Sequence, residues 1–228
     1  MIEDAFLEEV WNITLLSLRV SGTAVLIGSS IGIPVGVFLG LKRFEGKNTL
    51  MRFVDITLKS IVNTFMGLPP VVVGLVVYLL LTASGPLGWL RLLYTPTAMV
   101  ITQLIMVIPI VIGVTMSAVG SIDKTVRERA LSLGATETQA AWLVLKEART
   151  GVLTSVIVAF GAAISEVGGI MITGGNIRWA TRTLTTAIVV ETELGNFPLA
   201  VSLGVILLSI AFTINLLLTI LQVRGMKR

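Results

Sequence analysis

Neither cysteine nor histidine occurs in the chain. Disulfides, thiol nucleophiles, imidazole acid–base chemistry and Cys or His metal sites are therefore excluded. Carboxylates, guanidinium groups and hydroxyls remain, and they gather in three places. Ser121–Thr150 (SIDKTVRERALSLGATETQAAWLVLKEART) is the longest charged segment between apolar runs. A lone acid, Glu166, stands with Ser165, Gly168 and Gly169 inside an apolar run. Asn176, Arg178 and Arg182 follow, among Thr181, Thr183, Thr185 and Thr186.

Each group admits more than one chemistry. Arginine forks and hydroxyls suit a tetrahedral oxyanion or an acidic protein surface. An acid inside an apolar run is costly, so Glu166 marks a pathway or gate, or is a paired or capping acid at a helix break. It does not suit direct contact with an anion, because both are negative. The segment Gly40-Leu41-Lys42-Arg43-Phe44-Glu45-Gly46-Lys47-Asn48 has the outline of a phosphate-binding loop. Its glycines are one residue too far apart, asparagine replaces the magnesium-binding hydroxyl, and an apolar run precedes it where a strand is required. We reject it; any use of ATP needs a partner.

The elements that must position these groups are membrane spans. The chain is 54% hydrophobic and 13% charged, with a mean hydropathy of +0.95, whereas soluble domains carry about 25% charge. So few polar groups cannot cover a water-facing surface, and residues 1–228 read as one all-α transmembrane domain. Apolar runs cover 13–41, 53–83, 94–119, 151–171 and 198–223. A span needs about 20 such residues, so five crossings result. Region 53–83 is long and is interrupted by Gly67, Pro69 and Pro70. It reads as one broken crossing, or as a re-entrant pair that raises the count to six helices. Residues 173–197 read as a polar, glycine-rich loop. Acids precede the first run and no small-residue cleavage site follows a short core, so it does not read as a cleaved leader.

Of the 17 lysines and arginines, all but Arg19, Arg91, Arg178 and Arg182 fall on one side of this layout. The positive-inside rule makes that side cytoplasmic, with the N-terminus outside and the C-terminus inside. Residues 121–150 then form a cytoplasmic loop. Val126, Ala130 and Leu133 share a helix face, Gly134 ends or bends that helix, and Thr136 can cap a second one from Glu137 to about Leu145. The resulting knuckle either docks on a partner or lies on the membrane. Gly28, Gly32, Gly36 and Gly40 recur every four residues in the first run, a face for close helix packing or for a sliding gate.

Glu128-Arg129-Ala130, three residues, Gly134, nine residues and Val144 resemble the "EAA" loop of permeases in ATP-binding-cassette importers. That pattern is Glu-Ala-Ala, three residues, Gly, nine residues, Ile, one residue, Leu-Pro. Arg129, Val144 and Lys146-Glu147 depart from it. Leu68-Pro69-Pro70 through Gly74 is similar to a Leu-Pro-Pro segment of molybdate-type permeases. Residues 164–177 (ISEVGGIMITGGNI), 181–188 (TRTLTTAI), Glu191-Thr192 and Lys146-Glu147-Ala148-Arg149 resemble the permeases of tungstate importers.

The resemblance implies the all-helical fold of molybdate and methionine importer permeases, and a homodimer with the pore between subunits. It implies that residues 135–141 form the helix that enters a cleft of the ATPase. Glu128, Ala130, Gly134, Ala135, Thr136, Glu137, Ala140 and Ala141 are then the coupling residues. Ser165, Glu166, Gly168 and Gly169 become pore or gate candidates. Asn176, Arg178, Arg182 and Thr183 become candidates for docking or anion contact. The implied partners are a second copy of the chain, two ATP-binding-cassette ATPase subunits, an extracytoplasmic oxyanion-binding protein and membrane lipid, with no nucleic acid. The chain itself is expected to hold no metal, cofactor or catalytic residue, since ATP and magnesium belong to the ATPase. Tungstate is the expected cargo. The alternatives are molybdate or another oxyanion, an ATP-independent secondary transporter or channel, and a membrane scaffold.

Overall fold

A computed structural model of the chain describes residues 2–41 and 49–226. Lys42, Arg43, Lys47, Lys227 and Arg228, used above for orientation, lie outside the described residues, as does most of the rejected phosphate-loop segment. The described residues form helices α1 (Ile2–Leu41), α2 (Thr49–Met66), α3 (Pro70–Leu81), α4 (Pro96–Gly120), α5 (Lys124–Ser132), α6 (Glu137–Glu147), α7 (Arg149–Ile164), α8 (Gly168–Gly174), α9 (Leu184–Glu193) and α10 (Phe197–Met226). A 3-10 turn at Gly88–Leu90 precedes α4. By length and composition α1, α4 and α10 can each cross a membrane. The pairs α2–α3 and α7–α8 each qualify as one broken span, which gives three to five spans among the described residues.

The prolines explain the first break. Pro69 is extended (φ −63°, ψ 125°) and Pro70 opens α3, where a missing N–H costs nothing because the first helical donors have no internal partner. The acidic residues before the first apolar run are helical: α1 has 40 residues, or about 60 Å, twice the thickness of a hydrocarbon core. The run 151–171 breaks at Glu166, as the capping-acid reading expects, with α7 ending at Ile164 and α8 starting at Gly168. One expectation changes. Residues 173–197 are not a loop, because α9 occupies Leu184–Glu193 with Leu184, Thr185, Thr186, Ala187 and Glu191 buried.

Packing groups the chain into two compact units, each built from separate stretches. One comprises 1–27, 68–107 and 160–216; the other comprises 28–67, 108–159 and 217–228. In the first unit α3 lies against α8, and a Cβ added at Gly74 would come 2.6 Å from Gly169 Cα. Val73, Val77, Leu81 and Ala98 make one apolar core there, and Ile13, Leu184, Ala187 and Leu203 make another. In the second unit Gly32, Gly36 and Gly40 of α1 face Val111, Thr115 and Val119 of α4. A Cβ on any of the three glycines would meet the facing Cβ at 2.7–2.8 Å. The close-packing reading of that glycine face therefore holds for these three positions. Thr115 also donates to Ser155 of α7 (3.0 Å), and Val119, Val144 and Ala148 form the core at the base of α5–α6.

Candidate functional site

The segment between α4 and α7 folds as a capped helical hairpin. Asp123 opens α5, its carboxylate accepting from the Thr125 N–H (2.9 Å). Gly134 ends the turn with φ +87°, a left-handed conformation that glycine adopts without steric cost, and Ala135 N–H donates to Ala130 O (3.0 Å). At α6, Thr136 Oγ1 accepts from Gln139 N–H (3.3 Å), and Gln139 Oε1 accepts from Thr136 N–H (2.9 Å). This reciprocal capping box satisfies two donors that the first turn would otherwise leave open. Arg127 bridges to Glu137 across the hairpin at 2.5 Å; both are exposed, so the pair contributes about 0–1 kcal/mol.

The coupling candidates come together on this hairpin. Ala130 and Ala140 are buried in it, Ala135 and Ala141 are half-buried, and Glu128, Gly134, Thr136 and Glu137 are exposed. The second helix begins at Glu137, so Ala135 belongs to the turn and Thr136 is the cap. Two further side chains belong with this set. Leu133 is 89% exposed and Trp142 is 68% exposed, on a hairpin whose small residues are packed. Large apolar groups held out by an ordered framework are candidates for a contact surface. Their sequence signal was a bulky apolar residue immediately before the glycine turn and a tryptophan in the following helix.

Glu166 explains the second break. It is 4% exposed, and its carboxylate accepts from the backbone N–H groups of Gly169 (2.6 Å) and Ile170 (3.0 Å). Its own carbonyl accepts from Thr185 Oγ1 on α9 (2.9 Å). The acid thus caps α8, and α9 is pinned to the break. Gly169 is buried, and a Cβ there would meet Thr102 Cγ2 at 2.8 Å and Pro70 O at 2.9 Å. Gly168 is half-buried beside Val71. Ser165 is exposed and donates to Gly161 O (2.7 Å).

The third group meets acids of its own chain. Arg178 donates through Nε to Glu9 Oε1 (2.7 Å) and through its terminal nitrogen to the other Glu9 oxygen. This pairing raises the Arg178 pKa above its ordinary value. Arg182 lies 3.5 Å from both Glu9 and Glu191, and Asn196 donates to Glu191 (2.9 Å). Thr183 is buried, its N–H donating to Thr186 Oγ1 (2.9 Å). Leu184 N–H donates to Ser17 Oγ on α1 (2.8 Å). Asn176 takes φ +48°, and its Oδ1 is buried without a partner among the described residues. Glu9 and Glu191 were absent from the sequence-based candidates; the available signal was two acids whose matching arginines lay elsewhere in the chain.

Residues 32–225 match the family described as binding-protein-dependent transport system inner membrane component. The chain belongs to this family. It is a multi-pass permease of the inner membrane, the non-catalytic component of an ABC transporter, and carries no cofactor. A probable anion ABC transporter permease protein of Haloferax volcanii is 44% identical over 211 residues, covering 90% of this chain and 88% of that protein. The tungstate uptake system permease protein TupB of Peptoclostridium acidaminophilum is 38% identical over 218 residues, covering 96% and 92%. A chain of the MetNI methionine ABC transporter, solved in inward-facing conformations, superposes with a TM-score of 0.74 at 18% identity, covering 96% of this permease and 95% of that chain. That likeness is one of fold, and it bears out the expected architecture.

Proposed function

We propose that this permease is the membrane-spanning subunit of an ATP-driven importer that translocates an oxyanion, tungstate first, delivered by an extracytoplasmic binding protein. The α5–α6 hairpin carries the reading. It is charged, doubly capped and rigid, yet it holds Leu133 and Trp142 in solvent. A hairpin that needed only to be soluble would not expose them, and a partner ATPase cleft is the cover that the family reading supplies. Tungstate is supported by the 38% identity to a tungstate uptake permease over 96% of this chain and by the segments 164–177 and 181–188.

In this reading 1–228 act as one transmembrane domain and two copies enclose the pore. A loaded binding protein docks at the end that carries the acidic start of α1. ATP binding brings two ATPase subunits together, and each pulls on a hairpin through Glu128, Gly134, Thr136, Glu137 and the exposed pair. The fixed Gly134 turn transmits that motion to α4 and α7. Hydrolysis resets the assembly. Glu166 and Gly169 hold the break between α7 and α8 in shape, and Ser165 and Gly168 border it. Arg178, Arg182, Asn176 and Thr183 order the outer segment on which docking occurs. Calorimetry of the cognate binding protein against tungstate, molybdate and sulfate tests the cargo. Tungstate is expected to bind tightest; preference for sulfate overturns the assignment.

A further inference from the structure

Within the second unit, cavities of about 480 and 450 Å³ adjoin and share Asn63 of α2, Gly113 and Ser117 of α4, and Ser121. Lys59 lines one and Thr154 the other. Lys59, Asn63, Ser117, Ser121 and Thr154 each bring a donor to these walls. Asn63 and Ser117 are exposed although both lie in segments apolar enough to span a membrane. Hydrocarbon would leave such groups unsatisfied at high cost, so this face meets water.

Two patterns separate this face from a lipid-facing one. Gly113 and Ser117 are spaced four apart on one side of α4, with Ser121 just past its end, and Asn63 lies in the last turn of α2. On α10 the exposed positions include Leu208, Phe212, Leu216 and Leu217, and the exposed hydroxyls of Ser202, Ser209 and Thr213 each donate to the carbonyl four residues back. Ser121 and Thr154 already donate to the carbonyls of Ala118 (2.8 Å) and Thr150 (2.9 Å). The Asn63 amide and Ser117 hydroxyl have no side-chain hydrogen bond among the described residues.

We propose that this groove is the inner leg of the anion's path, with Asn63 and Ser117 donating to a tetrahedral oxyanion in transit. The cargo rests on the reading above; the wetness of the groove does not. A dianion carries only acceptors, so two open donors in this wall give it partners on entry. Two neutral donors also release it, as conduction requires.

The absence of native cysteine permits a clean test in proteoliposomes holding the whole transporter. Asn63→Cys, Ser117→Cys and Leu208→Cys are treated on the ATPase side with a membrane-impermeant anionic thiol reagent, and with a neutral one of similar size. The first two variants are expected to label and Leu208→Cys to stay unmodified. The anionic label should cut ATP-driven tungstate uptake about tenfold or more through like-charge repulsion, and the neutral label should cut it less. If wild type carries tungstate but positions 63 and 117 behave like 208, or label without effect on uptake, the groove proposal fails and the cargo reading stands. If wild type carries no tungstate while both positions still label, the cargo reading fails and the water-filled groove stands.

Discussion

The α8–α9 region and the α5–α6 hairpin both interrupt an apolar chain with polar residues, and they dispose of them in opposite ways. Around α8 and α9 most polar groups are buried and answered within the chain. Thr102 donates to Thr173 (3.0 Å), Thr173 to Gly169 O (2.9 Å), and Thr185 to Glu166 O (2.9 Å). In the hairpin the charges face solvent, and Leu133 and Trp142 are the unanswered groups. A buried polar group left without a partner costs about 1–3 kcal/mol; the first region answers most of its groups within one chain, with Asn176 Oδ1 and Arg182 Nε left over among the described residues. The second keeps Leu133 and Trp142 exposed, the groups that the proposed ATPase contact would cover.

Substitutions can break that contrast. Gly169→Val is expected to do most damage, because the new side chain meets the immobile Pro70 carbonyl as well as Thr102. Overpacking of this kind costs about 3 kcal/mol or more where backbone cannot yield. Purified in detergent, this variant should aggregate on size exclusion; a wild-type profile and melting temperature would contradict the packing described. Glu166→Ala comes next, leaving two α8 donors open at about 1–3 kcal/mol, with Glu166→Gln milder because it keeps one acceptor. Equal melting temperatures for those two variants would argue against the capping role.

Thr136→Ala should cost about 1 kcal/mol as a lost cap, read as earlier thermal unfolding, and should leave the α8–α9 region unaffected. Leu133→Ser with Trp142→Ala should change stability least, within about 0.5 kcal/mol, yet the ATPase subunits should no longer copurify. Normal copurification would return the hairpin to the status of a solvated or membrane-lying loop.

The hairpin was legible in the sequence because it obeys rules written for water. A glycine stop at Gly134, a threonine cap at Thr136 and a helix start at Glu137 appear in the structure where the spacing puts them; α6 runs on to Glu147, past the 135–141 assignment, and Leu133 lies beyond α5 and is exposed, off the buried face of Ala130. The glycine face at 32, 36 and 40 was legible for a similar reason, since side-chain-free positions four apart have one obvious use. Helix α9 was not. Thr183, Thr185, Thr186 and Thr192 made its surroundings look like a loop, whereas in a protected setting those hydroxyls bond back to backbone or to one another. The break before α8 was legible at Glu166, whereas the separateness of Ile170–Ile172 was not, since these residues continue the preceding apolar pattern. The pairing of Arg178 with Glu9 bridges 169 positions, a separation that no local pattern reports.

The most direct test follows tungstate into proteoliposomes that contain the permease, its ATPase and the loaded binding protein, with Gly134→Pro and Glu128→Lys beside wild type. The predicted result is uptake that needs ATP and ATPase and is lost in both variants, although each still inserts in the membrane. Uptake that continues without ATP, or that is unchanged in both variants while ATPase subunits copurify normally, would contradict the account.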